Sequence, residues 1–96
     1  MKSISPAALQ KLLEEQPDTI LIDVREPYEN KAFNIGGALI PLGDIMRRSS
    51  EIPTGKPVIL YCRKGIRSAI AIQRLEQKFG IDNLVNLEGG LEAWPS

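Results

Sequence analysis

Two short, continuous apolar runs constrain the fold of this 96-residue chain more than any other feature. The first covers residues 19–24 and ends in polar residues, and the second covers residues 58–61. Apolar runs of this length, without polar alternation, are typical of strands buried on both faces, as in a parallel sheet. Because helical patterns alternate with these runs, the order of elements predicts an α/β fold around a mainly parallel sheet.

The helix signals are clearest at two places. Ser5 and Pro6 predict a helix start, since serine is a good N-cap and proline suits the first helical position. A longer helix is expected from Ser68 to about Phe79, where Gly80 ends it. Its first turn is apolar nearly all round, which predicts deep burial.

Charge and cysteine content narrow the function classes. Twelve basic and twelve acidic residues cancel, so no basic surface is expected that would bind nucleic acid or an anionic membrane. We see no apolar run long enough to cross a bilayer and no signal peptide pattern. A single cysteine cannot form an internal disulfide, which fits a reducing compartment, with cytoplasm as the default expectation.

The chain contains no histidine. This excludes the Ser-His and Cys-His nucleophile pairs and argues against a catalytic zinc site. Any activation of the cysteine therefore has to come from other groups. Neither a metal nor an organic cofactor is expected.

The segment that follows the second apolar run carries the chemistry. Cys62 stands directly after the run, and Arg63, Lys64 and Arg67 place three positive charges within five residues of it. Gly65 permits a tight backbone conformation. Cations and helix N-termini favour the thiolate form of cysteine, and ligands of open α/β sheets bind at the carboxyl ends of strands. We interpret Cys62 as a reactive nucleophile; the alternative is a small apolar residue that merely ends a buried strand.

A cysteine phosphatase is the chemical alternative. Such enzymes use Cys-x5-Arg, whereas Cys62 and Arg67 are spaced as Cys-x4-Arg. The shorter loop suits a sulfur-sized anion better than a phosphate group. No well-placed general acid is evident, although the sequence leaves Asp23 open for that role.

Four segments, in this order, resemble the rhodanese-like, or sulfurtransferase, family: residues 21–29, 35–42, 58–69 and 87–94. The resemblance covers essentially the whole chain and implies one domain, residues 1–96, with a central parallel sheet flanked by helices on both faces. It also implies a six-residue active-site loop from Cys62 to Arg67. In such a loop Cys62 carries a persulfide, and the backbone N–H groups of Arg63 to Arg67, those of Gly65 and Ile66 included, surround it.

The resemblance also implies donors and acceptors. Arg63 and Lys64 match the loop of thiosulfate:cyanide sulfurtransferases and are expected to bind thiosulfate, with Arg67 at the last loop position. Residues 23–29 and 41–45 resemble rhodanese domains fused to adenylating enzymes of sulfur-carrier biosynthesis. An alternative is therefore a persulfide relay or binding domain from a longer protein, whose partner is a sulfur-carrier protein or a cysteine desulfurase.

Several other residues allow two interpretations. Asp23 and Arg25 could support the loop or the donor, but a structural ion pair is favoured. Glu29 is interpreted as a charge at a helix N-terminus. Gly89 and Gly90 could bring backbone close to the site or form a plain turn, and Trp94 is expected in the core.

Overall fold

A computed structural model describes residues 1–95 and contains one five-stranded sheet in which all neighbouring strands are parallel. The strands are β1 (Lys2–Ile4), β2 (Ile20–Asp23), β3 (Ala38–Leu39), β4 (Val58–Tyr61) and β5 (Leu84–Leu87), in the spatial order β1-β5-β4-β2-β3. The α-helices are α1 (Pro6–Glu15), α2 (Pro27–Ala32), α3 (Leu42–Ile45) and α4 (Ile66–Phe79). Short 3₁₀ helices lie at Ser49–Glu51 and Gly90–Ala93. The predicted α/β fold with a parallel sheet is confirmed.

The two apolar runs form the neighbouring strands β2 and β4, with Ile22 paired to Leu60. All four residues of β4 are buried. Successive side chains of a strand point to opposite faces of the sheet, so these strands contribute to a separate core on each face. The central strands are therefore buried on both faces of the sheet, as the apolar runs predict.

Helices cover both faces of the sheet. On one face α1 contributes the buried Leu9, and together with the C-terminal segment it covers Leu21, Ile59, Tyr61 and Leu87. On the other face α3 and α4 cover a larger core, whose members include Ile22, Leu60, Cys62, Ile72 and Leu75. Trp94 packs half-buried against the first core, in agreement with its predicted core role.

The start of α1 forms as predicted. The side-chain oxygen of Ser5 accepts a hydrogen bond from the backbone N–H of Ala8 at 3.2 Å, and Pro6 is the first helical residue. This satisfies one of the free N–H groups at the helix end and fixes where the chain turns after β1.

One strand and one helix start differ from the sequence predictions. Strand β1 was not predicted because its three residues carry no strand pattern of their own; it forms by pairing with β5, where Lys2 lies beside Val85. Helix α4 begins at Ile66, two residues before Ser68, because Gly65 adopts a left-handed conformation (φ 86°) at the N-cap. Arg67 and Ser68 consequently lie within the first turn of α4.

The carboxyl ends of β2, β4 and β5 meet at one edge of the sheet, as parallel strands require. This places Asp23, Cys62 and Asn86 at the same edge. Among residues 1–95, no helix combines the length and apolar character needed to span a bilayer.

Candidate active site

Cys62 lies at the base of the loop between β4 and α4. Its side chain is almost fully buried, with 1% of the residue exposed. The backbone N–H of Gly65 donates to Sγ at 3.1 Å, and the backbone N–H of Ser68 donates to Sγ at 3.4 Å. Hydrogen bonds from N–H groups and the positive end of a helix both stabilise anionic sulfur. The arrangement can therefore hold a thiolate or a persulfide at this position.

A cleft of about 330 Å³ opens over the cysteine. Its lining consists of the loop residues Cys62, Arg63, Lys64, Ile66 and Arg67. Arg63 and Lys64 are exposed, and neither forms an ion pair with another residue of the described chain. Their charges are available to an anion that enters the cleft.

Arg67 is held differently from the other two loop cations. Its Nη1 and Nη2 donate to Oε1 and Oε2 of Glu29 at 2.7 and 2.9 Å. Oε1 of Glu29 also accepts the backbone N–H of Glu26 at the start of α2. Glu29 therefore does more than the predicted helix-terminal charge: it fixes the orientation of Arg67 and neutralises much of its positive charge.

The glycine pair at residues 89 and 90 brings backbone against the loop. The N–H of Leu91 donates to the carbonyl oxygen of Cys62 at 2.9 Å, and the N–H of Glu92 donates to that of Arg63 at 2.8 Å. A Cβ atom on Gly90 would lie 2.4 Å from the Arg63 carbonyl oxygen. The sequence left open a plain turn or a close approach of the backbone, and the structure shows the close approach, against the loop that begins at Cys62.

Asp23 and Arg25 form a buried ion pair at the carboxyl end of β2, with Nη2 and Oδ2 separated by 2.8 Å, and neither residue lines the cleft over Cys62. The Asp23 carboxylate accepts four hydrogen bonds, three from Arg25 and one from Nδ2 of Asn30. Arg25 also donates to the carbonyl oxygen of Phe33 at 2.6 Å. These partners are structural, which favours the ion-pair interpretation and leaves Asp23 poorly placed as the general acid of a phosphatase.

Comparisons with known proteins agree with this geometry. A family model described as rhodanese-like domain matches residues 5–96. The chain belongs to the rhodanese-like domain family. The crystal structure of a rhodanese-like domain protein from Staphylococcus aureus superposes with a TM-score of 0.88 at 33% identity, covering 100% of this chain and 93% of that one.

Two curated relatives carry names that describe an activity. A protein from Allochromatium vinosum named sulfurtransferase is 38% identical over 95 residues, covering 98% of this chain and 88% of that protein. A protein from Mycobacterium tuberculosis named probable adenylyltransferase/sulfurtransferase MoeZ is 37% identical over 95 residues, covering 96% of this chain but 24% of that protein. The chain spans 51% and 59% of two further relatives. Family and relatives together support sulfur transfer as the general class of activity.

Two polar residues of this rhodanese domain escaped the sequence predictions. Ser68 Oγ lies 3.3 Å from Cys62 Sγ and donates a hydrogen bond to Oδ1 of Asn86. A serine directly before the apolar residues 69–72 was a usable signal for Ser68. Asn86 offered a weaker one, as a polar residue within the short strand β5. Within residues 1–95 no cluster of three or more Cys, Asp or Glu side chains could hold a metal ion.

The ion pair between Glu29 and Arg67 predicts a pH-dependent stability. The pKa of Glu29 is lowered to about 2, chiefly because the Arg67 guanidinium hydrogen-bonds to the carboxylate. Its stabilising contribution is therefore complete above about pH 4.5 and is lost as the pH falls towards 2. We expect Glu29→Gln to lower the free energy of unfolding by about 1–2 kcal/mol at neutral pH, after allowance for the partial exposure of Arg67. Urea unfolding of both proteins should show this difference shrinking near pH 2; a constant difference would contradict the assignment.

Proposed function

We propose that this rhodanese domain is a sulfurtransferase in which Cys62 accepts a sulfur atom and passes it to a second molecule. One observation carries the proposal: the Cys62 Sγ accepts hydrogen bonds from two backbone N–H groups at the base of a cleft. The rim of this cleft carries Arg63 and Lys64, which form no ion pair within residues 1–95. A nucleophile, an anion-stabilising cradle and an anion-binding rim are the groups that sulfur exchange requires.

In the first step the Cys62 thiolate attacks the outer sulfur of thiosulfate. The new bond joins Sγ to that sulfur, and the bond between the two thiosulfate sulfurs breaks, so sulfite leaves with the bonding electron pair. Arg63 and Lys64 bind the sulfonate oxygens, while Arg67, neutralised by Glu29, contributes mainly loop geometry. Cys62 then carries an anionic outer sulfur within reach of the loop N–H groups.

In the second step a thiophilic acceptor attacks the outer sulfur, and the Cys62 thiolate leaves. Cyanide, a thiol or a sulfur-carrier protein can serve in this role. The sequence contains one cysteine, so no second thiol of the chain can receive the sulfur and the acceptor is another molecule. A thiolate that must be regenerated in every cycle fits a reducing compartment, and we place the protein in the cytoplasm.

A protein partner is the second candidate for the physiological exchange. The similarity to MoeZ and to an adenylyltransferase and sulfurtransferase MOCS3 from Drosophila ananassae supports a sulfur-carrier protein as acceptor. A protein persulfide, such as that of a cysteine desulfurase, could then replace thiosulfate as donor. Ile66 at the cleft is 62% exposed and offers apolar surface for such a contact.

The intact mass of the protein after thiosulfate treatment tests the proposal. We expect the wild type to gain the mass of one sulfur atom, to lose it on addition of cyanide or a thiol, and Cys62→Ser to gain none. A wild type that gains no reducible sulfur from thiosulfate or from a protein persulfide would show the proposal to be wrong.

Kinetics separate an enzyme from a relay. Rapid thiocyanate formation from thiosulfate and cyanide supports turnover with small molecules, whereas slow turnover with a stable persulfide supports delivery to a protein partner. Hydrolysis of a generic aryl phosphate would instead support the phosphatase alternative, which the Cys-x4-Arg spacing disfavours.

A further inference from the structure

Two buried polar side chains, those of Ser68 and Asn86, connect the Cys62 thiol to the backbone carbonyl of Gly65 through hydrogen bonds. Ser68 Oγ lies 3.3 Å from Cys62 Sγ, and the Ser68 hydroxyl is paired with Oδ1 of Asn86. Nδ2 of Asn86 donates to the carbonyl oxygen of Gly65 at 3.2 Å. Ser68 is 0% and Asn86 9% exposed, so these groups depend on one another for hydrogen bonds.

The direction of each hydrogen bond in this chain follows from its far end. The carbonyl of Gly65 can only accept, so the amide nitrogen of Asn86 has to face it. The Asn86 oxygen therefore faces Ser68 and accepts the single hydroxyl hydrogen. Consequently Ser68 presents a lone pair to Cys62, and a neutral thiol can donate its S–H to that lone pair.

We infer that Ser68 and Asn86 form a hydroxyl switch that restrains thiolate formation at Cys62. When Cys62 loses its proton, the Ser68 hydroxyl has to turn towards Sγ to stabilise the negative charge. Asn86 Oδ1 then loses its only donor within the described chain, and a buried unsatisfied carbonyl is unfavourable. Asn86 thus opposes the backbone N–H groups of Gly65 and Ser68, which favour the thiolate.

The switch also distinguishes the loaded from the free cysteine, a consequence that rests on the proposed function. In a persulfide the inner sulfur is bonded to the outer one and is neutral, so it accepts hydrogen bonds weakly. The Ser68 hydroxyl can then remain with Asn86. The network therefore disfavours the free thiolate while leaving the persulfide unaffected.

The other charged groups around the cysteine stay constant in the variants that test this. The loop and α2 contribute Arg63, Lys64, Arg67 and Glu29. Glu92 of the C-terminal 3₁₀ helix meets the loop through its backbone N–H, and Asp23 and Arg25 pair with each other at the end of β2. A change caused by substituting Asn86 or Ser68, which are both uncharged, therefore reports on the hydroxyl switch and not on an altered net charge.

Asn86→Leu is the principal test. Leucine has the same branching and number of side-chain heavy atoms as asparagine and removes the competing acceptor, so the Ser68 hydroxyl is free to donate to Sγ. We expect the midpoint of thiolate formation, followed by ultraviolet thiolate absorbance and by the pH profile of alkylation with iodoacetamide, to fall by about one pH unit. Neither measurement needs a sulfur donor, so the switch and the proposed function can fail separately.

Ser68→Ala and the double variant complete the test. If the switch operates, Ser68→Ala leaves the midpoint near that of the wild type. The thiol loses its hydrogen-bond acceptor, and the thiolate loses a donor for which Asn86 competes, so the two losses offset one another. Asn86→Leu should then have no further effect in the Ser68→Ala background. The inference is overturned if Ser68→Ala alone raises the midpoint by a full unit, as for a simple donor to the thiolate. It is equally overturned if Asn86→Leu acts the same with and without the Ser68 hydroxyl. Because Ser68→Ala removes only one oxygen, a raised midpoint in this variant overturns the inference even if Asn86→Leu does not fold.

Discussion

Gly90→Ala is expected to slow sulfur loading of Cys62 about 100-fold while the protein remains folded. A Cβ atom on Gly90 would lie 2.4 Å from the carbonyl oxygen of Arg63 and 2.5 Å from that of Cys62. Both neighbouring atoms belong to the backbone, so no side-chain rotation can relieve the overlap. The loop from Cys62 to Arg67 has to move away from the C-terminal 3₁₀ helix, and a displacement of about 1 Å at a reacting group is enough for a loss of this size. The rate of mass gain with thiosulfate measures it.

Gly80→Ala provides a matched control for this substitution. Gly80 and Gly90 have similar left-handed conformations, with φ values of 66° and 60°, but a Cβ on Gly80 would meet no atom within 4 Å. Both variants therefore carry the backbone penalty of about 1–2 kcal/mol for a left-handed alanine. Only Gly90→Ala should lose loading rate. Equal rates in the two folded variants would show that the close approach at Gly90 does not determine the position of Cys62.

Asp23→Asn is expected to lower the free energy of unfolding by about 3–5 kcal/mol. Asp23 is fully buried, and its carboxylate compensates the buried charge of Arg25 through two hydrogen bonds from the guanidinium and accepts a third from the Arg25 backbone N–H. Asparagine has nearly the same shape but leaves the guanidinium without a counter-charge and turns an NH2 group towards other donors. Urea unfolding at neutral pH measures the loss, which is large for a domain of this size.

The exposed ion pair of Arg48 and Glu51 is a control for Asp23→Asn, because it has the geometry of the Asp23–Arg25 pair without its burial. Arg48 Nε and Nη2 donate to the Glu51 carboxylate at 2.8 Å each, the same two-point contact that Arg25 makes with Asp23. We expect Glu51→Gln to leave stability unchanged, because exposed pairs are screened by solvent. If Asp23→Asn were equally harmless, or if its folded fraction failed to load sulfur, the structural interpretation of Asp23 would be wrong.

The sequence was sufficient for features whose signal lies within a few neighbouring residues. The apolar runs predicted β2 and β4, and Ser5 with Pro6 predicted the start of α1. The placement of Cys62 at the end of β4 followed from the second run alone. Burial on both faces favours apolar residues along such runs, as in residues 20–22 and 58–61, so the sequence pattern itself indicates a central position in the sheet.

The features that escaped prediction connect residues that are distant in the chain. Arg67 meets Glu29 across 38 positions, and Ser68 meets Asn86 across 18. Strand β1 exists only through its pairing with β5. No local pattern indicates these contacts, because each partner is compatible with several other environments when its own neighbours alone are considered.

By itself, the sequence determined that the chain is an α/β domain of the rhodanese type and that a strand delivers one cysteine to a cationic loop. The tertiary structure decided which groups act on that cysteine. Arg67, predicted as a donor-binding cation, is bound by Glu29, and Ser68 is turned towards Asn86. The physical reason is that hydrogen bonds and ion pairs depend on distances of about 3 Å, which are set only once the parallel strands bring their carboxyl ends together.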